Sequence, residues 1–225
     1  MMGGLQAAIA RGQTEVAALP VTTLQDKRAI DLGAGFGMHA IPLADAGYAV
    51  MAIDSSEILL EVLRGQQGAR AIKTVRDDLV LFRRHIQGTV ALILCMGDTL
   101  THLPDRHSAE QLLVDVAKSL YRGGAFIATF RDYSTALSGV NRFIPVRADP
   151  DRMLTCFLEY EDEMLTVYDI LNERDGIGWN QRVSAYQKLR LSTDWVVDVL
   201  QANGLQVTHQ RGLSGMTKVV GTRAF

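Results

Sequence analysis

The residue types with the clearest chemical potential gather between Asp31 and Asp78. Gly33-Ala34-Gly35-Phe36-Gly37 follows a short apolar run, and glycines there let the backbone turn sharply and admit a ligand close to the main chain. Asp31 stands two residues before the first glycine. Asp54 closes the next apolar run, where a carboxylate can accept two hydrogen bonds from the vicinal hydroxyls of a ribose. Asp77 and Asp78 follow a third run, near where a base would lie, and can accept from an exocyclic amine. The set describes half of a nucleotide-binding α/β sheet. Its glycine spacing is G-x-G-x-G, and the position three after Gly35 is Met38, whereas a dinucleotide loop carries a third glycine there; this counts against NAD.

A second group of polar residues lies further on. His102 titrates near neutrality and could serve as a general base, or it could bond a backbone carbonyl and shape its loop. In Arg131-Asp132-Tyr133 the guanidinium could clamp a carboxylate through two hydrogen bonds, or pair internally with Asp132 or Asp98. Arg147, Tyr186, Lys188 and Arg190 offer a second anionic contact or simply a solvated strand face. His39 is expected at the surface of a helix or behind the ligand-contacting residues, and Trp179 and Trp195 are expected to pack.

The elements needed to position these groups alternate. A helix over Gln6 to Leu19, closed by Pro20, precedes a strand at Arg28 to Leu32. A helix over Gly37 to Ala46 should bend or start late because of Pro42. Strand Ala49 to Ile53, helix Ser55 to Arg64, strand Ala69 to Val75 and a short helical turn at Leu79 to His85 follow. Thr89 to Met96 is apolar throughout, as in a strand buried on both faces. Ser108 and Gln111 have capping-box spacing ahead of a helical face of Leu112, Leu113, Val116, Ala117 and Leu120. Gly123-Gly124 is expected to stop that helix, and Ala125 to Phe130 to form a fifth strand. From Met153 the pattern alternates with period two through Leu191, an antiparallel meander with Val183, Ala185, Leu189 and Leu191 on its dry face and Arg182, Ser184, Tyr186, Lys188 and Arg190 on its wet one. Ser192 then caps a helix to Asn203, and Leu205 to His209 and Lys218 to Thr222 are two last strands.

Composition fits one domain spanning residues 1–225, with residues 136–191 a β insertion or lid. The chain has 225 residues, 48% of them hydrophobic, and a formal net charge of -2 that offers no footprint for nucleic acid or an anionic membrane. Two cysteines in apolar or alternating runs suit a reducing cytoplasm better than a disulfide framework, and no metal-ligand cluster can be built from them. No apolar stretch has the length of a signal peptide or a membrane span, so a cytoplasmic protein is expected.

Taken together, the DLGAGFG loop, Asp54 and Asp78-Leu79 resemble the cofactor motifs of the class I S-adenosylmethionine-dependent methyltransferases. The likeness covers roughly residues 25 to 131. Leu94 to Leu103, LCMGDTLTHL, is similar to the segment after the fourth strand in small-molecule N-methyltransferases of the glycine and sarcosine type, with Asp98 and Thr99 in Asn and Ser positions and His102 matching a His. Ala91 departs from that pattern, which usually has an acid early in the strand. The resemblance implies an α/β, doubly wound, Rossmann-like seven-stranded sheet with the antiparallel meander inserted after the fifth strand. It implies S-adenosyl-L-methionine as cofactor, contacted by Asp31, Gly33, Ala34, Gly35, Gly37, Asp54, Ser55, Asp77 or Asp78, Leu79 and Met96. A small-molecule methyl acceptor, reacting at N or O, would then meet His102, Arg131 and Tyr133. The competing readings are a non-catalytic S-adenosylmethionine-binding or assembly module, in which the meander Met153 to Leu191 joins a homodimer, and a NAD(P)-dependent oxidoreductase.

Overall fold

The computed structural model describes residues 4–19, 26–212 and 215–224. Helix α1 (Leu5–Ala17) comes first, and the expected stop at Pro20 lies outside the described residues. β1 (Arg28–Leu32), α2 (Ala40–Asp45), β2 (Ala49–Asp54), α3 (Glu57–Gln67) and β3 (Ile72–Arg76) alternate as expected. A 3₁₀ helix over Leu79–His85 leads to β4 (Val90–Cys95), and a second over Thr99–His102 leads to α4 (Arg106–Ser119) and β5 (Leu120–Phe130). α5 (Thr193–Ala202) is capped by the Ser192 hydroxyl, which accepts from the Trp195 N–H at 3.1 Å, and is followed by β10 (Leu205–Arg211) and β11 (Thr217–Arg223). α2 does start late: Pro42 occupies its third position, in the first turn, where no intrahelical N–H partner is needed.

Seven strands form one sheet in the order β10-β11-β5-β4-β1-β2-β3, parallel except that β11 runs antiparallel to both its neighbours. Helices cover both faces, so the inner strands are apolar throughout. On β4, Ile93 and Cys95 join the core under α4 and α5, whereas Leu92 and Leu94 join the core under α1, α2 and α3. The strand order reverses between β1 and β4, which opens a crevice at their carboxyl ends, where open α/β sheets take ligands. α1 closes one side of it: a Cβ on Gly12 would lie 1.8 Å from the Met38 carbonyl oxygen, so the helix backbone rests directly on the chain leaving the glycine turn.

Two boundaries differ from expectation. α4 is capped by Asp105, whose carboxylate accepts the Ser108 N–H at 2.7 Å, so Ser108 lies inside the first turn instead of preceding it. Gly123-Gly124 does not stop α4, which ends at Ser119; the glycines lie within β5, in an irregular stretch between the rungs Val90–Leu120 and Leu92–Ala125. Gly124 fits there because a Cβ would press on the Ala91 and Tyr121 carbonyls at 3.0 Å.

The insertion after β5 is a separate antiparallel sheet of four strands, β6 (Phe143–Ala148), β7 (Arg152–Tyr160), β8 (Met164–Asp175) and β9 (Gly178–Leu189), in that order. β6 was not expected, because Pro145 and an irregularity between Pro145 and Arg147 break its alternation. Leu158, Leu165, Val167 and Tyr133 form a small core between this sheet and the main one. The expected division of β9 into dry and wet faces fails. Val183 is 57% exposed and Ala185 is exposed, whereas Lys188 is 6% exposed. The outer ten residues of β9 stand in solvent on both faces, and only its last rungs enter the protein.

No helix among the described residues is long and apolar enough to cross a membrane.

Candidate active site

The turn after β1 is built by backbone conformation. Gly33, Gly35 and Gly37 take φ of 73°, 53° and 91°, in the left-handed region that side chains disfavour. Space demands glycine as well: a Cβ on Gly33 would meet the Thr99 side chain at 2.3 Å, and one on Gly37 would meet Leu63 at the same distance. The loops after β1 and β4 are therefore in contact at the switch point.

The turn's amides are engaged internally. The N–H groups of Gly33 and Ala34 donate to the Ile53 carbonyl at 2.9 and 3.0 Å, Gly37 to the Ala34 carbonyl at 2.9 Å, and Gly35 to Asp54 Oδ2 at 2.8 Å. A pyrophosphate needs such amides free, so the turn is poorly made for a dinucleotide. Asp54 also accepts the Ser56 N–H on Oδ1 at 2.8 Å, which locks its carboxylate at the mouth of the crevice while each oxygen keeps a further acceptor position. Ser55 beside it is exposed.

Asp31 is buried at 1% exposure, and its Oδ2 has no hydrogen-bond partner among the described residues. Burial pushes its carboxyl up to about 6, against the pull of the nearby His39 and with the help of the Asp54 charge. His39 is also buried, not at the surface: its Nε2 lies 2.7 Å from Glu15 of α1, and this contact holds Glu15 below the usual carboxylate range. An unpartnered buried carboxylate oxygen beside a glycine turn is an open position for a ligand cation.

At the end of β3 the two acids divide. Asp77 accepts from Arg84 Nε at 2.7 Å and lies 2.5 Å from His85 Nε2, and these partners draw it down to about 2. Asp78 caps the 3₁₀ helix by accepting the Val80 N–H at 3.1 Å on Oδ1, which leaves its other oxygen for a ligand. Leu79 packs against the core at the same place. Met96 and Ala34 are buried in the core under α1 to α3.

Across the crevice, Asp98 organises a second polar cluster. It is the one non-glycine residue with positive φ among the described residues, at 75°. Its N–H donates to the Thr129 carbonyl at 2.9 Å, and its buried carboxylate accepts the Arg131 N–H at 2.8 Å, the Arg131 guanidinium at 3.5 Å, the Tyr133 hydroxyl at 3.4 Å and the Lys188 ammonium. Arg131 thus pairs with Asp98, and Asp132 instead accepts from Ser134 and from the Thr193 N–H at 2.7 Å. Arg190, expected among the anionic contacts, is bonded to the carbonyls of Tyr133, Ser134, Glu161 and Asp162 and staples the insertion to the loop after β5.

His102 stands with its ring 5.7 Å from that of Tyr186. Loss of solvent and the Lys188 ammonium lower its imidazole below the ordinary value, with Asp98 opposing. Its neighbours move the other way. Burial and Asp98 raise Tyr133, and loss of solvent with Asp169 pushes Tyr186 and Cys156 to about 12, so all three keep their protons at neutral pH. Cys156 donates to Asp169 at 2.9 Å. The sequence reading missed the Asp98–Lys188 pair as the centre of this side, and no spacing rule marks it, because the two residues lie 90 positions apart.

Residues 29–124 match the methyltransferase domain family. A glycine/sarcosine N-methyltransferase of Aphanothece halophytica is 30% identical over 113 residues, 49% of this chain and 43% of that protein. The chain spans less than half the length of the curated relatives it matches. Among solved structures, the CcbJ methyltransferase of Streptomyces caelestis superposes with a TM-score of 0.79 at 19% identity, covering 100% of this chain and 98% of that one. The CalS10 amino pentose methyltransferase of Micromonospora echinaspora, solved with S-adenosylmethionine bound, superposes with a TM-score of 0.80 at 14% identity over 99% and 93% of the two chains. Residues 29–124 thus match a methyltransferase domain, and the solved structures, both under 20% identical, share this chain's fold.

Proposed function

We propose that the protein transfers a methyl group from S-adenosyl-L-methionine to a nitrogen of a small molecule. The observation that carries the reading is the pairing, across one crevice, of a glycine turn locked by Asp54 with the polar cluster around Asp98. The donor side fits the cofactor's polar groups: the ribose hydroxyls on Asp54, the ammonium on the unpartnered Asp31 Oδ2, and the adenine amine on Asp78. When bound, the cofactor supplies a methyl group on a sulfonium, which already carries a good leaving group. The chain's own work is to place and desolvate the acceptor lone pair and to take up its proton. His102 is the group held neutral for that proton, and Arg131, 43% exposed, is the cation that can orient an acidic substituent. Tyr133 acts as a positioning residue, since its hydroxyl is committed to Asp98. Residues 136–191 form the wall or lid over this side, and a reducing cytoplasm suits the two free cysteines.

Titration calorimetry with S-adenosylmethionine and S-adenosylhomocysteine tests the donor site. Asp54→Ala removes both the ribose acceptor and the anchor of Gly35, and should weaken both ligands at least tenfold; unchanged affinity would dismiss the assignment. NADH binding in their place would promote the oxidoreductase.

One observation favours a second property. β9 is an edge strand, exposed from Gly178 to Gln187, and an open edge can pair with another copy. Light scattering should then report a dimer that Val183→Pro reduces to monomer, and a monomeric wild type would remove the idea.

A further inference from the structure

The insertion carries a second set of charged residues on the face that holds Lys188. Strand register fixes their order outward from the buried end. Across β7, β8 and β9 the rungs read Tyr160–Leu165–Lys188, Leu158–Val167–Tyr186, Cys156–Asp169–Ser184, Leu154–Leu171–Arg182 and Arg152–Glu173–Asn180. β6 adds Arg147 beside Leu154. The face therefore runs from the ammonium on Asp98, past a phenol and a thiol–carboxylate pair, to a group of guanidinium ions.

At that outer end lies a cavity of about 450 Å³, with Leu154 and Leu171 among its lining and Arg147, Arg152 and Arg182 around it. Its two lining carboxylates are both engaged. Glu173 is shared by Arg152, at 3.0 Å, and Arg182, and Asp169 takes the Cys156 thiol. Arg147 bonds Asp149, at 2.5 Å. Three guanidinium ions thus line the cavity with two carboxylates, and a third carboxylate, Asp149, holds Arg147 from outside the lining. Each guanidinium has five N–H donors, and one shared Glu173 leaves most of those on Arg152 and Arg182 unused. Exposed ion pairs add little stability, so the doubling of arginines on Glu173 is poorly explained as a fold-stabilising device. Forked donors around an apolar floor suit a phosphoryl or carboxylate group.

The same strand connects this cavity to the acceptor side. Arg182 precedes Tyr186, the residue stacked near His102, by four positions, and at roughly 3.3 Å per residue the two lie about 13 Å apart along β9. We propose that Arg147, Arg152 and Arg182 form an oxyanion subsite for the far end of an elongated methyl acceptor, whose nitrogen reaches His102 while a phosphoryl or carboxylate group rests in the cavity. This deepens the methyltransferase reading and rests on it.

Calorimetry on the full chain with inorganic pyrophosphate and with citrate, each beside a titration with S-adenosylmethionine, tests the proposal. At least one of the two anions should bind, pyrophosphate alone assigning a phosphoryl end and citrate alone a carboxylate end. Arg152→Gln/Arg182→Gln should weaken that anion at least tenfold. Glu173→Gln, which frees both guanidinium ions, should tighten it at least threefold, and neither substitution should alter the affinity for S-adenosylmethionine. Donor binding without any anion binding, or anion affinity indifferent to these substitutions, overturns the subsite alone. Absence of donor binding overturns the methyltransferase reading, and with it the acceptor role of the cavity.

Discussion

Lys188→Met should lower the unfolding free energy by about 3–5 kcal/mol, the range for removing one partner of a buried ion pair. Lys188 and Asp98 are 6% and 2% exposed, and without the ammonium the Asp98 carboxylate stays buried with only polar hydrogen-bond donors and one half-exposed guanidinium at 3.5 Å. The loss reaches beyond one contact. Asp98 holds a left-handed backbone conformation, and its carboxylate orders both the Arg131 N–H and the Tyr133 hydroxyl. Replacing both charges, in Lys188→Met/Asp98→Asn, should recover much of the lost stability, because an uncharged pair of similar volume avoids the burial of an unpaired ion. Urea unfolding of the two single variants and the double variant measures the coupling. A second signal separates a local electrostatic role from a packing defect. Lys188 lowers the His102 imidazole, so its removal should raise the His102 midpoint in an NMR titration, and Asp98, now unpaired, should push it further the same way. A single variant as stable as the wild type would show that Asp98 is not a buried charge.

The parts of the molecule that were legible in the sequence are those set by local rules. β4 reads as a doubly buried strand because both of its faces meet helices, and each residue from Val90 to Cys95 is buried. The glycine turn is legible because φ values of 53° to 91° call for glycine whatever surrounds them. Ser192 marks the start of α5 because its hydroxyl accepts the Trp195 N–H, a bond set by local sequence. Lys188 was placed on a wet face because alternation along β9 cannot say where the main sheet begins to cover it. Asp77 and Asp78 are indistinguishable in sequence, and only the positions of Arg84 and His85 at the far end of the 3₁₀ helix commit Asp77 to an ion pair. Of the two places expected for His39 the structure takes the buried one, and its partner Glu15 was not legible because α1 supplies it from across the glycine turn. The glycine-turn side of the crevice was thus readable and the Asp98 side was not, since the first is built by consecutive β-α-β units and the second by the loops after β4 and β5 and a sheet inserted after β5.

Asp31 should make both stability and donor affinity depend on pH near 6. Its carboxyl titrates at about 6 in the folded protein against 3.8 for an ordinary aspartate, so it ionises less readily folded than unfolded. A raised value means that its contribution to stability is complete below about pH 4 and is lost as the pH climbs to 6, after which it stays constant. The difference of roughly two pH units corresponds to about 3 kcal/mol, an upper figure because neighbouring structure can relax around the charge. At neutral pH the unliganded protein therefore carries a charged oxygen, Oδ2, with no partner among the described residues. A ligand ammonium at that oxygen would offset this cost, and S-adenosylmethionine carries one. Its affinity should then fall tenfold for each pH unit below about 6, where a proton must leave Asp31 before the ion pair can form. Asp31→Asn should flatten that dependence, weaken S-adenosylmethionine by about 10–100-fold through loss of a charge-assisted hydrogen bond, and stabilise the unliganded protein above pH 6. The opposite signs distinguish a ligand-binding carboxylate from a structural one, whose loss would lower stability and affinity together. Calorimetry between about pH 5 and pH 8, paired with urea unfolding of the unliganded protein over the same range, reads both; a donor affinity that is level through pH 6 in the wild type would remove Asp31 from the binding site.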